Sequence, residues 1–570
     1  MSNDSEQEEY LLNHSHNLRK GGLKTIPFII VNESFEKLAS FGLQPNMLIY
    51  LTTFYHMEAA AASSLLEIWS ALSNGLAIVG AFVSDSYLGR FRVVAIGSIS
   101  SLIGITMLWL TTMIPKFRPS ACNNQHDCNG TTTSQFALIY CSFGLISVGA
   151  GFVRPCSIAL GADQLDNKRN PDNERVIDSY FNWFYASIGA STFLAFTVIV
   201  YIQDHLGWQV GFGVPAMLMV LSVSMFLIGS PLYIKVKARG SLLTELFQVA
   251  VAMFRKRHID VQMNYNNECY YYKAPESKSL APSSDFSCIN RACIIQDPEK
   301  ELKPDGTISN PWSLCCVEQV ELVKSFLRVL PMWSTSFMPI VAVGVPLSIF
   351  QLKTVDRHVL PGYQFEIPAG SFSFFSILTS IIWNISYDRV LVPLLMSRYP
   401  RGLSPVLRMG AGLIISCVAM ALGAITENIR RNKAINEGFE NDPNAVLNMS
   451  AVWFVPQFAL LGLAEALNLI GLMEFLYAQF PKSMSSFALA ICTVSTAIAS
   501  LITSFLVSVV DGLTSAGGNT SWLSTNINSA HLDYFYCLIT LLSVLNFLYY
   551  LFISRLCNYH HDGLNKSFEV

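Results

Sequence analysis

The sequence predicts an all-α membrane protein with twelve transmembrane helices in two six-helix bundles and both termini cytoplasmic. Three observations predict it. The chain is 52% hydrophobic and 14% charged, with mean hydropathy +0.40, where a soluble domain carries roughly 25% charged residues. Twelve apolar segments lie near 26–53, 63–84, 91–114, 135–158, 179–201, 209–234, 322–350, 370–392, 404–425, 450–476, 484–510 and 533–554. Each reaches the length of about 20 residues that a ~30 Å hydrocarbon core demands. One long polar stretch, 236–318, then divides the segments six and six. The expected organisation is a cytoplasmic tail (1–24), a first bundle (25–235), a cytoplasmic linker with an amphipathic helix (236–318), a second bundle (319–555) and a cytoplasmic tail (556–570).

Orientation follows from lysine and arginine. One set of loops carries Arg19, Lys20 and Lys24, then Arg90 and Arg92, then Lys168, Arg169 and Arg175, then Arg389, Arg398, Arg401 and Arg408. The linker joins this set with Lys235, Lys237, Arg239, Arg255, Lys256 and Arg257. Opposite loops carry Lys116, Arg118, Lys353, Arg357, Arg430, Arg431 and Lys433. The first set is therefore placed in the cytoplasm. The polar first 24 residues contain no apolar run, so no cleaved signal peptide is expected. Net charge of −3 says nothing about partners, and thirteen cysteines form neither a CxxC pair nor a zinc spacing. On this topology Asn129, Asn448 and Asn519 are outward-facing glycosylation acceptors. Cys122 and Cys128 share a loop with Asn129, where a disulfide and two free thiols are equally compatible with the sequence.

Segment 1 holds three charges, Glu33, Glu36 and Lys37, whose spacing places them on one helical face. Ionisable groups at membrane depth are expensive and point to a proton or ion path; the competing reading is a static internal salt bridge. Glu67 in segment 2 reads as an acid near the outer entry or as a solvated rim residue. Between segments 2 and 3 stands Gly80-Ala-Phe-Val-Ser-Asp85-Ser-Tyr-Leu-Gly89-Arg90-Phe-Arg92. A carboxylate at a helix end, a glycine turn and flanking bases make a salt-bridge latch of Asp85 with Arg90 and Arg92. This pattern resembles the loop signature of the major facilitator superfamily, and a looser echo follows segment 8 at Asp388-Arg389 and Arg398, as two repeated halves would require. Segment 4 holds Gly144, Gly149 and Gly151 for close helix approach, then Arg154. The linker opens with an amphipathic stretch, 242–258, bearing Leu246, Val249, Ala250 and Met253 on one face. It reads as an interfacial helix on the cytoplasmic leaflet or as a helix packed on the bundle.

Further stretches carry a closer resemblance: Asn32-Glu33-Ser-Phe-Glu36-Lys37, Arg154-Pro155-Cys156, Gly161-Ala-Asp163-Gln164-Leu-Asp166, Phe181-Asn182-Trp183-Phe184-Tyr185, Tyr387-Asp388-Arg389 and His531-Leu-Asp533-Tyr-Phe-Tyr536. The chain resembles the plant nitrate/peptide transporter family, the plant branch of the proton-coupled oligopeptide transporters, and its first subfamily in particular. The resemblance implies the major facilitator fold and alternating access. It implies that Glu33, Glu36 and Lys37 stand at the family's ExxER proton-coupling motif, with lysine replacing arginine and so losing the planar fork. It implies a gate between Arg154, where the family usually has lysine, and Glu465 of segment 10.

Segment 7 contains no histidine, and its cations Lys324 and Arg328 sit at the cytoplasmic end, while its middle holds Met332, Trp333, Phe337 and Met338. Such a lining suits a large, partly apolar solute. Asn74, Trp333, Trp383, Asn384 and Asn468 are candidate pocket groups. The family's amide in segment 5 is lost at Ile188-Gly189-Ala190-Ser191. The expected function is proton-coupled symport of a small organic solute such as a hormone or specialised metabolite. Nitrate is the runner-up, and a non-transporting sensor signalling through 236–318 is the alternative from another class. No Walker loop, HExxH or GxSxG occurs, so no enzyme is expected. No cofactor, metal or nucleic acid is expected. The partners are the small solute, protons and the bilayer. The expected form is a monomer in the plasma membrane, with the vacuolar membrane second.

Overall fold

The computed structural model describes residues 21–567 except 118, 120–131, 166–172, 237–241, 260–270, 274–281, 284, 359–364, 396–403, 481–484 and 519. The first half contains α1 (Ile26–Phe54), α2 (Ala59–Val83), α3 (Arg90–Met113), α4 (Thr133–Leu165), α5 (Asn173–Leu194) and α6 (Trp208–Ile228). The second contains α7 (Val317–Ser334), α8 (Phe374–Ser386), α9 (Pro405–Asn436), α10 (Val455–Gln479), α11 (Ser485–Thr514) and α12 (Leu532–Ser567). Among the described residues ten helices are long and apolar enough to cross a membrane, or eleven with the bent α7 pair. Helix α1 stands outside that set because Asn32, Glu33, Glu36, Lys37, Gln44 and Asn46 dilute its apolar face.

Following the charge bias of the loops, the end holding the α1–α2 connection is termed outer. The largest apolar core joins both halves there, from Leu43, Tyr50 and Phe212 to Phe372, Phe454 and Phe535. Towards the other end each half keeps its own core, built on Ile29, Val93 and Phe226 in one and on Val329, Leu472 and Tyr550 in the other. A serine-lined seam closes the outer end. Ser64 of α2 lies 2.6 Å from Ser504 and 3.0 Å from Ser508 of α11, and Ser500 donates to Ser70 at 3.0 Å. Small hydroxylated residues let the backbones approach and satisfy one another away from water. Arg357, beyond α7, adds an ion pair to Asp204 at the end of the α5 span at 3.9 Å.

Segment 7 is not the single helix expected over 322–350. It breaks after Ser334, resumes as Phe337–Lys353 at a bend of 44°, and is interrupted again between Val343 and Ser348. The prolines 339 and 346 remove donors from the ladder. Asn546 of α12 donates to the freed Thr335 carbonyl at 2.8 Å and Asn468 of α10 to that of Ser336 at 3.2 Å. Such repair is what permits broken backbone at membrane depth.

Segment 9 also differs: α9 continues to Asn436, well past 425, because its charges are paired inside the protein. Arg430, expected in an outer loop, is wholly buried against Glu427 at 2.8 Å. It reaches Asn528 and the Ile527 carbonyl, while Gln351 bonds Glu427 and Tyr536 bonds Gln351. A short parallel pair, β1 (Val355–Asp356) with β2 (Leu447–Ser450), ties the same outer connections together.

The glycines of α4 divide. Gly149 abuts Ser101 and Gly151 abuts Leu76, whereas Gly144 faces open space, so only two of the three serve close approach. Wide i→i+5 turns end both α2 (Ser84–Leu88) and α8 (Tyr387–Leu391), the corresponding places in the two halves.

Part of the linker is folded. Its helix, Leu242–Arg255, buries Val249 and Ala252 against Tyr271, Ile289, Cys293 and the start of α7, while Ala250 faces outward with Phe247 and Phe254. Leu246 and Met253 also pack inward, so the stripe differs from the expected one only in having Ala252 in place of Ala250. Lys256 pairs with Glu301 at 2.9 Å, and Arg328 of α7 with Asp285 at 2.7 Å. Burial pushes the Cys293 and Cys315 thiols up to about 12, so both stay protonated.

Candidate proton path and substrate cavity

Helix spacing brings Glu33, Glu36 and Lys37 to the inward face of α1, and all three are buried. Lys37 Nζ lies 4.0 Å from Glu33 Oε1, a loose pair. Glu36 Oε1 accepts from Ser40 Oγ at 2.6 Å, one turn further along. The other oxygens, Glu33 Oε2 and Glu36 Oε2, have no protein partner among the described residues. Two buried carboxylates with unused acceptor capacity can each receive a proton, and the ammonium beside them is only weakly held.

Phe41, four residues past Lys37, joins this cluster to α4. Lys37 Nζ stands 5.0 Å from the centre of its ring and the Arg154 guanidinium 5.3 Å from it. Arg154 Nη1 also donates to Asn74 of α2 at 3.3 Å. Phe41 in turn lines a cavity of about 420 Å³ between the halves, which Glu67, Ile340, Gly344, Phe458 and Glu465 also line. Its apolar residues outnumber its polar ones, the balance expected of an organic-solute site.

No ion pair between Arg154 and Glu465 occurs among the described contacts: Arg154 is held by Asn74 and Phe41, and Glu465 faces the cavity. The latch is differently wired from its sequence reading. Arg90 lies 3.7 Å from Asp85 but only 2.6 Å from Asp163 of α4. Arg92 is exposed. Of the expected echo in the second half, Arg398 lies outside the described residues; there Arg408 pairs with Glu474 at 2.6 Å under the ring of Tyr387.

The candidate pocket groups separate. Trp333 is committed to Ser495 at 2.6 Å, and Asn468 to the α7 break. Trp383 Nε1 and Asn384 Oδ1 are buried with no partner among the described residues, and neither residue lines the cavity. Glu67 is not at a solvated rim: it is 8% exposed and borders the cavity. Sequence reasoning missed Ser40, Phe41, Asp163, Arg408 and Glu474 as working residues; helical spacing from Lys37 was the available signal for Phe41. Asn448 is exposed in β2, while Asn129, Asn519, Cys122 and Cys128 lie outside the described residues. Among the described residues no His, Cys, Asp and Glu cluster has metal-binding geometry.

Comparison with known proteins places the chain in a family. Residues 91–523 match the family model PTR2, the POT family. Arabidopsis thaliana Protein NRT1/PTR FAMILY 1.2 is 46% identical over 548 residues, spanning 94% of this chain and 89% of that protein. NRT1/PTR FAMILY 1.1 of the same plant is 46% identical over 542 residues, spanning 94% and 91%. The crystal structure of an auto-inhibited POT family peptide transporter shares the fold, with TM-score 0.66 at 18% identity over 93% of this chain and 97% of that one. The chain is a multi-pass membrane transporter, not an enzyme, and it belongs to the POT family, on its plant NRT1/PTR branch and beside the first subfamily.

Proposed function

We propose that this transporter is a proton-coupled symporter that carries a partly apolar organic solute, such as a plant hormone or specialised metabolite, by alternating access. The observation that carries the reading is the place of Phe41. Its ring sits against Lys37 and Arg154 and also forms cavity wall shared with Glu465. Proton acceptors and cargo thereby meet at one side chain. Protonating Glu33 or Glu36 weakens the hold on Lys37, frees Arg154 to exchange partners with Glu465, and lets the halves rock about the cavity. A pH difference of one unit supplies about 1.4 kcal/mol per proton, and 100 mV adds about 2.3 kcal/mol.

On this reading residues 25–235 and 319–555 are the moving bundles, twelve helices in all, with 236–318 as a cytoplasmic linker. Asn448 is a glycosylation acceptor, and the protein works as a monomer in the plasma membrane. The two cations at Phe41 favour an anion such as nitrate as the second reading.

The test is uptake by oocytes expressing the full chain, screened over organic solutes and nitrate at acidic and neutral external pH. Glu465→Gln and Glu33→Gln are expected to abolish uphill uptake with surface expression intact. Normal pH-driven accumulation in both variants would refute the mechanism.

A further inference from the structure

Glu67 occupies a place that the α1 cluster and the Arg154–Glu465 pair do not explain. It lies on the face of α2 that carries Ser64 and Ser70, three residues from each. Those serines bond Ser504, Ser508 and Ser500 of α11 across the two halves. The carboxylate is therefore set inside the outer seam. On its other side it meets the second break of α7, where a Cβ added to Gly344 would stand 3.6 Å from Glu67 Oε2 and 3.7 Å from Thr503 Oγ1. Three helices, from both halves, meet around one acid.

Among the described residues around it no base holds its charge. Among the described residues lining the cavity, the other ionisable group is Glu465 of α10, another acid. The cations near this face of α2 are engaged below it: Arg154 bonds Asn74, two turns towards the cytoplasm, and Lys37 lies against Phe41. From α11 the neighbours are hydroxyls, from α4 the aromatic Phe143 stacked on Trp69, and from α1 Gln44 and Phe41. A carboxylate enclosed by hydroxyls and apolar walls is costly to keep charged, whereas the neutral acid has an O–H to share with them. When the seam parts, as alternating access requires, water reaches the same group and the charged form becomes affordable.

We propose that Glu67 is a second proton site, separate from the α1 cluster, which takes up a proton from the outer side as the α2–α11 seam closes and must release it before the seam reopens. The inference rests on the alternating-access reading but not on the identity of the cargo. Closure outward is thus coupled to external acidity at the seam itself, whereas Glu33 and Glu36 report to the opposite, cytoplasmic half of the path. Linkage makes the effect reciprocal: acid outside favours the sealed seam, and sealing favours the protonated acid.

The test needs no cargo. Spin labels are placed at Glu58 and Leu513, exposed at the outer ends of α2 and α11, in full-length protein in lipid nanodiscs with the exposed Cys141, Cys288 and Cys537 replaced by serine. Pulsed dipolar distances are recorded from about pH 8 to about pH 5.5, a span that crosses the range of a buried carboxyl. The closed-to-open ratio is expected to rise about tenfold as pH falls. In Glu67→Gln the seam is expected to stay closed at every pH, and Glu67→Asp to restore the response. Glu33→Gln is expected to keep it. A wild-type distance that ignores pH, or a response unchanged in Glu67→Gln, overturns the assignment. Loss of the response in Glu33→Gln alone also overturns it and moves the proton to α1, leaving coupled transport intact. A seam that closes only when a cationic solute is added overturns it too, by showing that the cargo neutralises the acid.

Discussion

Arg408 of α9 holds Glu474 of α10 at 2.6 Å, the separation at which Arg90 of α3 holds Asp163 of α4. Asp163 follows Arg154 by the same nine residues by which Glu474 follows Glu465. The two halves therefore carry one device in duplicate: an inner ion pair on α4 or α10, and on the same helix a charged residue facing the middle of the protein. Each pair lies within one half, so it stiffens that half.

The duplicated pairs are not equal. Arg90 and Asp163 are 34% and 20% exposed, but Arg408 is 3% exposed beneath Tyr387. Asp163→Asn is expected to cost under about 1 kcal/mol, as solvent screens the charge left behind. Glu474→Gln strands a buried guanidinium and is expected to cost about 1–2 kcal/mol more. Thermal unfolding of the detergent-solubilised variants measures the difference; equal melting temperatures would contradict the asymmetry.

The Glu427–Arg430 pair is fully enclosed, so breaking it exposes no compensating water. Either Glu427→Ala or Arg430→Ala is expected to destabilise by about 3–5 kcal/mol. The loss should be visible as poor surface expression and a lower melting temperature. Replacing both by apolar residues of similar volume, Glu427→Leu with Arg430→Met, is expected to recover much of it. A double variant worse than both singles would show that the pair does more than compensate itself.

At the break in α7, Asn468 and Asn546 each supply one donor to an otherwise open carbonyl. Asn546→Leu removes the donor without removing bulk and is expected to cost about 1–3 kcal/mol. Hydrogen exchange should show faster amide exchange confined to the residues just after the break. Unchanged exchange there would remove the side chain from the hinge.

His531 precedes α12 and stacks on Tyr534 at 4.6 Å, beside Arg431 and Asp533. Burial and then Arg431 hold its imidazole below the ordinary 6.5. A depressed value means that the folded state binds the proton less well than the unfolded one. Its contribution is fully present above about 6.5 and is lost as pH falls through the lower folded value. Melting temperature should fall on acidification from that point, and His531→Gln should flatten this slope. An identical slope in the variant would assign the pH dependence elsewhere.

Much of the architecture was legible in the residues. Apolar segment length gave the helices, the polar interval 236–318 separated the halves, and charges at helical spacing singled out Glu33, Glu36 and Lys37. Glu465 was legible only through the resemblance, since the same apolar run also holds Glu474. What stayed hidden depended on contacts between distant segments. The break of α7 needs Asn468 and Asn546 from other helices to be tolerable, and α9 extends past 425 because Gln351 and Asn528 help to enclose its charges. Glu67 stayed open between an entry acid and a rim residue because nothing in α2 alone tells that α11 and the α7 break cover it.

The sequence by itself determined a helical membrane transporter and the ionisable groups it spends inside the bilayer, because transfer from water to hydrocarbon acts on each segment separately. The tertiary structure decided which charge answers which: Arg90 to Asp163, Arg408 to Glu474, Arg154 to Asn74 rather than to Glu465. A hydrogen bond or close ion pair needs donor and acceptor within about 3 Å, so partners are chosen by packing, which no single segment encodes.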